Sequence, residues 1–330
     1  MAFSDPISAL GFVREQGVSH IALCYWDSLP AVAEELLRLP HHGVRALIQV
    51  HGRPPAGLSL ANPVPILSPE EACSFEPLDA ILVIDQDKFA WILRCIERVL
   101  ERDLLVLPGN KEWVVPANLA RLTPEQATLE SVPAEYLVRS GLSGHYLEFG
   151  TYWGRWFFQA YYRFRHVLKG NFYAIDSFHG LSQPEEKETL FTAGDYRLHT
   201  YNYNIRSFVG LARLAGMPED RLRLIPGYYG ETLVGHSPSE YGLEQQSVSV
   251  CIIDCDLYEP TRQALDFVTP LLEPGALLYF DDWRLCRASP EVGERAAALA
   301  WLRDNPDIEL VELHQTHWQN QWFIFNRRGR

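Results

Sequence analysis

The chain has 330 residues, which is long for a single core, so two domains are expected. Hydrophobic residues make up 47% and charged residues 22%, the balance of a soluble globular protein. The net charge is −13, and the parts on either side of Leu122 carry −5 and −8, so neither offers the basic surface that nucleic acid or an anionic membrane would need.

Residues 1–10 lack the charged and apolar regions of a signal peptide, and no apolar run reaches the roughly 20 residues of a membrane helix. The six cysteines form no CxxC pair, which points to free thiols and a cytoplasmic protein. Ile21 to Trp26 reads as a short strand, 30–39 as a helix and Val44 to Val50 as a second strand. Ser68-Pro69-Glu70-Glu71 has the form of a capping box that opens a helix. Ala80 to Ile84 is a third strand, 89–100 an amphipathic helix and Leu104 to Leu107 a fourth strand. Alternating strands and helices predict a small α/β domain, loosely similar to the Rossmann-like module found beside enzymes of glycan biosynthesis. The turn after its first strand, Cys24-Tyr25-Trp26-Asp27-Ser28, has none of the glycines that let a backbone approach a pyrophosphate. Docking or homo-oligomerisation is therefore favoured over nucleotide binding. Residues 108–122 read as a connector. The expected division is 1–122 for this accessory domain and 123–330 for a second, opened by a capping box at Thr123-Pro124-Glu125-Gln126.

In the second domain, Tyr146 to Phe149 is a strand ending in Glu148-Phe149-Gly150-Thr151-Tyr152-Trp153-Gly154. A helix follows with Phe157, Ala160, Tyr161, Phe164 and Leu168 on one face. A glycine turn between strand and helix admits a ligand to the backbone. Phe172 to Ile175 is the next strand and ends in Asp176, the position from which a carboxylate can accept both hydroxyls of a ribose. Leu222 to Ile225 is a third strand. Val250 to Ile253 is an apolar run of the kind buried on both faces of a parallel sheet, and it ends in Asp254 and Asp256. Ala264, Phe267, Val268 and Leu271 have helical spacing, and Pro274-Gly275 is expected to turn the chain. A second apolar run, Ala276 to Phe280, ends in Asp281 and Asp282. Ligands bind at the carboxyl ends of the strands in such sheets, and carboxylates gathered there repel unless something positive joins them. A hard divalent cation is the simplest candidate. Cys251 and Cys255 are expected in the core. An apolar helix over 294–302 and two strands, Glu309 to Leu313 and Trp322 to Phe325, close the chain. His314 and His317 are expected in a surface loop.

Five segments, 146–154, 174–181, 226–233, 253–261 and 274–282, resemble those of the macrocin O-methyltransferase family. Its most specific pieces are Asp176-Ser177-Phe178-His179-Gly180-Leu181 and Asp254-Cys255-Asp256-Leu257-Tyr258-Glu259-Pro260-Thr261. The family has glycine where this chain has Cys255, and proline directly after Gly-Leu where this chain has Ser182. These departures bear on the acceptor more than on the chemistry. The resemblance implies a Rossmann-like class I methyltransferase domain with a seven-stranded sheet. It implies S-adenosylmethionine and Mg2+ as cofactors and a sugar hydroxyl of a natural product as acceptor. Glu148, Gly150, Thr151, Gly154, Asp176, Ser177 and Tyr228 would surround the cofactor, and Asp254, Asp281 and Asp282 would hold the metal. Related catechol enzymes place a lysine where this chain has Leu257. The base is therefore left to Asp256 or, second, His179, with Asp254 in the catalytic group as metal ligand. A sugar-like vicinal diol fits the open positions that three aspartates leave on an octahedral cation. A catechol acceptor, and a non-catalytic nucleotide-binding partner of glycan assembly, stay open; an NAD-dependent enzyme is disfavoured by the missing third glycine.

Overall fold

The computed structural model describes residues 10–11, 13–14, 18–26, 31–38, 43–51, 64–84, 92, 95, 104–108, 131–196 and 201–329. The chain divides into two compact units, residues 1–117 with 198–216, and 118–197 with 217–330.

Five short apolar runs make the sheet of the first unit: β1 (Ile21–Tyr25), β2 (Val44–Gln49), β3 (Ile66–Leu67), β4 (Ala80–Val83) and β5 (Leu105–Pro108). All pairs are parallel, in the order β3-β2-β1-β4-β5. The central strands β1 and β4 are buried along their whole length, which is why they read as unbroken apolar runs. Helices α1 (Ala31–Leu37) and α2 (Pro69–Cys73) belong to this unit. The capping box of α2 forms as expected: Glu71 N–H donates to Ser68 Oγ at 3.3 Å, and Ser68 N–H to Glu71 Oε2 at 2.8 Å. The helix expected over 89–100 lies outside the described residues except at Ile92 and Cys95, which are helical. The connector beyond Pro108 and the box at Thr123 also lie outside them.

The second unit's first described helix is α3 (Val132–Ser140), capped by Ser131 and closed by Gly141 in the left-handed region. β6 (His145–Phe149), α4 (Arg155–Phe164) and β7 (Phe172–Asp176) follow. Helix α4 buries Phe157, Phe158, Tyr161 and Phe164, a stripe at helical spacing. The chain then makes α5 (Tyr201–Leu214), which belongs to the first unit. There Val106 N–H donates to Ser207 Oγ at 3.4 Å. Gly210 lies so close to β5 that a Cβ would meet Leu105 Cδ1 at 3.1 Å. Back in the second unit come β8 (Leu222–Pro226), α6 (Tyr229–Thr232), β9 (Val248–Ile253), α7 (Tyr258–Val268), β10 (Leu272–Phe280), α8 (Gly293–Asp304), β11 (Ile308–His314) and β12 (Gln321–Arg327).

The sheet order is β11-β12-β10-β9-β6-β7-β8, and β12 runs antiparallel to both its neighbours. This is the expected seven-stranded Rossmann-like sheet with a C-terminal hairpin. The order reverses at β6, where the chain first builds outward through β7 and β8 and then returns to add β9 on the other side. Such a switch point opens a crevice beyond the strand ends. One expectation is corrected. Pro274-Gly275 does not turn the chain ahead of a strand; it is a bulge inside β10. Leu272 pairs with Val248 and Leu277 with Val250, so four residues oppose one. Gly275 has φ +87° and its carbonyl accepts from Tyr136 Oη at 3.0 Å, which anchors the bulge to α3.

The core packs α7 and α8 against the sheet, with Phe149, Ile253, Leu278, Phe280, Phe267, Val268, Trp301 and Phe325 all buried. Each such side chain contributes roughly 1.5–3 kcal/mol. Cys251 and Cys255 are buried, as expected. Among the described residues no helix is long and apolar enough to cross a membrane.

Candidate active site

The site begins with backbone contact. Gly150 has φ +86°, and a Cβ there would stand 1.8 Å from the Asp254 carbonyl oxygen. Only glycine lets the turn after β6 lie against the turn after β9, where Asp254 N–H donates to Phe149 O at 2.9 Å. Asp176, from the end of β7, holds the same glycine turn. Its Oδ2 accepts from Thr151 N–H at 2.8 Å and Tyr152 N–H at 2.9 Å, and its Oδ1 from Phe178 N–H at 2.6 Å. Burial raises its pKa, against the opposing pull of these three donors. Thr151 is buried, and its Oγ1 has no hydrogen-bond partner among the described residues. This hydroxyl has hydrogen-bonding capacity to spare for a bound group. Gly154, with φ +76°, begins α4.

Glu148 is 1% exposed and accepts from Tyr146 Oη. Burial, and then the charges of Asp176 and Asp281, push its pKa up to about 8. It is therefore a neutral acid near neutral pH. Toward β8, Ser177 Oγ donates to Gly180 O at 2.7 Å, and the His179 and Tyr228 rings stack with centroids 6.1 Å apart and planes inclined at 28°.

The other side of the site is acidic. Asp254 and Asp256 follow β9, and Asp281 and Asp282 follow β10. Burial raises the pKa of Asp254 far above the usual range, and Asp281, Asp256, Glu294 and Asp282 push it further. Asp256 sits in the left-handed region at φ +61°, and its carboxyl hydrogen-bonds to that of Asp282. Burial, and then the Asp282 charge, raise its pKa well above the carboxylate range. The donor set is all oxygen and negative, the chemistry of a hard divalent cation. Among the described residues, however, no three His, Cys, Asp or Glu side chains converge into a formed metal site. In this arrangement Asp282 Oδ1 is held by Gln319 Nε2 and Asp281 Oδ1 by Tyr279 Oη.

The expected residues thus form two groups at one end of the sheet. Glu148, Gly150, Thr151, Gly154, Asp176, Ser177, His179 and Tyr228 line the β6–β8 side. Asp254, Asp256, Asp281 and Asp282 line the β9–β10 side, and the two groups meet where Gly150 touches Asp254. Several neighbours were not foreseen. His317 is exposed in its loop, as expected, yet its Nε2 stands 3.9 Å from Asp281 Oδ1. Gln319 comes from the same hairpin loop. The Tyr196 ring packs edge-on to Tyr152 at 5.5 Å between centroids. Burial raises the Tyr196 phenol's pKa, as do the charges of Asp256, Asp282 and Asp254. Two buried glutamates brace the acidic turns from behind. Glu188 accepts from Tyr258 N–H at 2.6 Å, and Glu294 accepts from Cys255, Asp256 and Asp282. Glu294 had a readable signal: it shares the helical stripe of Ala297, Ala298 and Trp301, all buried, where a charged residue is out of place.

Residues 120–312 match the family model described as macrocin O-methyltransferase (TylF). The chain belongs to this family. The family transfers methyl groups to oxygen, so the protein is an O-methyltransferase and an enzyme. A relative from Streptomyces olivaceus, 8-demethyl-8-(2,3-dimethoxy-alpha-L-rhamnosyl)-tetracenomycin-C 4'-O-methyltransferase, is 28% identical over 190 residues, 54% of this chain and 68% of that protein. Among solved structures, the O-methyltransferase NovP is 21% identical with a TM-score of 0.44, covering 61% of this chain and 80% of that one. The calicheamicin methyltransferase CalS11 is 22% identical with a TM-score of 0.47, covering 67% and 86%.

Proposed function

We propose that the protein is an S-adenosylmethionine- and Mg2+-dependent O-methyltransferase acting on a hydroxyl of a sugar or glycosylated natural product. The observation that carries this reading is the crowding of Asp254, Asp256, Asp281 and Asp282 on two adjacent strand ends against a glycine turn. The sugar acceptor is supported by the family and by the rhamnosyl 4'-O-methyltransferase named above. The orphaned Thr151 hydroxyl and the bare backbone of Gly150 suit a cofactor laid along that turn.

S-Adenosylmethionine supplies an electrophilic methyl group on sulfur, and transfer is an in-line displacement in which alignment alone is worth several kcal/mol, about 7–11 at best. Asp176 holds the glycine turn rigid and offers its remaining lone pairs to the ribose hydroxyls. Glu148, neutral and buried, presents no charge to repel a carboxylate of the ligand. A divalent cation lowers the pKa of an alcohol bound to it. Asp254, Asp281 and Asp282 would hold that cation, the donor chemistry being right for it. Asp256 is the first candidate to take the acceptor proton, and His179 the second. Tyr152, Tyr196 and Tyr228 offer ring faces to a sugar.

A competition assay with three matched acceptors tests the reading: a vicinal-diol glycoside, its singly deoxygenated analogue, and a catechol. The diol should be methylated at least tenfold faster than either rival. Equal rates for the deoxygenated compound would remove bidentate binding, and a large preference for catechol would remove the sugar.

A further inference from the structure

We propose that Glu294 is a positioning residue that locks the Asp254–Asp256 turn to the Asp281–Asp282 turn, so that both act on one acceptor. The inference rests on reading those turns as the acceptor side of the site.

The β9–β10 ladder ends at the pairing of Phe280 with Ile253 and the donation of Asp281 N–H to Ile253 O at 3.0 Å. Past that point the turns carry their carboxylates, and Glu294 takes over from the ladder. Its Oε1 accepts from Cys255 N–H at 2.9 Å and Asp256 N–H at 3.2 Å, and its Oε2 accepts from Asp282 N–H at 3.0 Å. One carboxylate thus spans both turns. The side chain is 1% exposed, so no water competes for these donors. Gly293 makes the approach possible: it has φ +68°, and a Cβ there would lie 3.3 Å from Asp256 O. A glutamate at a helix start commonly serves its own helix dipole. Here all three of its hydrogen bonds go outward to other elements. A glutamine has one acceptor oxygen, and its NH2 would face an N–H. Its single acceptor cannot tie the two turns together, so each loses its anchor to the other.

The test is amide hydrogen exchange by mass spectrometry on the full chain without ligand, comparing Glu294→Gln and Glu294→Asp with the parent. Glu294→Gln should speed exchange at least tenfold in peptides covering both 254–258 and 280–284, with β6 and β7 unchanged. Exchange at parental rates, or loosening of one turn alone, would overturn the coupling. General loosening that includes β6 and β7 would overturn it too, since that marks a purely structural residue. If Glu294→Gln does not fold, Glu294→Asp decides. It keeps both carboxyl oxygens but shortens the reach, and should loosen both turns without touching β6 or β7. Titration of each protein with Mn2+ alone, read by electron paramagnetic resonance, separates the two levels. Weaker binding in the variants is expected. No binding to the parent would end the metal reading, while exchange would still decide the role of Glu294.

Discussion

Asp176 holds a turn and, in the proposed site, a ligand as well. Its two oxygens already take three backbone N–H groups, so its loss should loosen the glycine turn as well as the cofactor. A hydrogen bond to a charged group is worth about 1.5–3 kcal/mol. Asp176→Asn should therefore weaken S-adenosylmethionine binding tenfold or more in calorimetry and also lower Tm. A lower Tm with unchanged affinity would leave Asp176 a holder of the turn and nothing else. Glu148 gives a pH signature. Its folded pKa of about 8 stands above the ordinary 4.5, so the folded chain keeps a proton that the unfolded chain releases. Stability is greatest below about 4.5 on this account and falls as pH rises through about 8. Glu148→Gln should flatten the fall in Tm between these limits. An equally steep fall in the variant would assign it to other groups, and the raised carboxyls of Asp254 and Asp256 are the first to consider.

At the scale of elements, most strands and their acidic ends were legible, because doubly buried strands are continuous apolar runs and their carboxylates stop them abruptly. The glycine turn was legible too, though its reason was not. The sequence suggests room for a ligand, whereas the structure adds a contact with the Asp254 carbonyl. Gly150→Ala should thus be severe: the left-handed φ alone costs about 1–2 kcal/mol, and the clash adds to it. A Tm drop of several degrees with loss of turnover is expected, and a variant with parental Tm and activity would contradict the packing of β6 on β9. Pro274-Gly275 was misread because Pro-Gly marks turns and bulges alike, and only the register of β10 on β9 separates them. Gln319 and the approach of His317 to Asp281 were not legible. They reach the site from a hairpin loop some 36 residues later in the chain, and no local pattern records where a loop side chain ends.

At the scale of the molecule, the alternation of strands and helices predicted two α/β sheets, and both are present. The path of the chain between them was hidden. Helix α5 has ordinary apolar spacing, and nothing in its sequence says that it joins the sheet of the first unit rather than that of the second. Gly210, the residue that admits it to β5, reads in isolation as a weak point in a helix. The family match covers 120–312, most of the second unit together with α5 of the first, and the strand ends that carry the acidic turns lie in the second unit. In the proposed reaction the acidic turns bring a sugar hydroxyl and a divalent cation together for methylation. The most direct measurement is transfer of a deuterated methyl group from S-adenosylmethionine to a vicinal-diol glycoside, followed by mass spectrometry. It should be run on the parent, on Asp254→Asn and Asp281→Asn, and on the parent in excess chelator with and without added Mg2+. One methyl group on one hydroxyl is expected in the parent, with transfer lost at least a hundredfold in both variants and in chelator and recovered with Mg2+, while cofactor affinity stays within about threefold. Undiminished transfer in chelator and in both variants would contradict it.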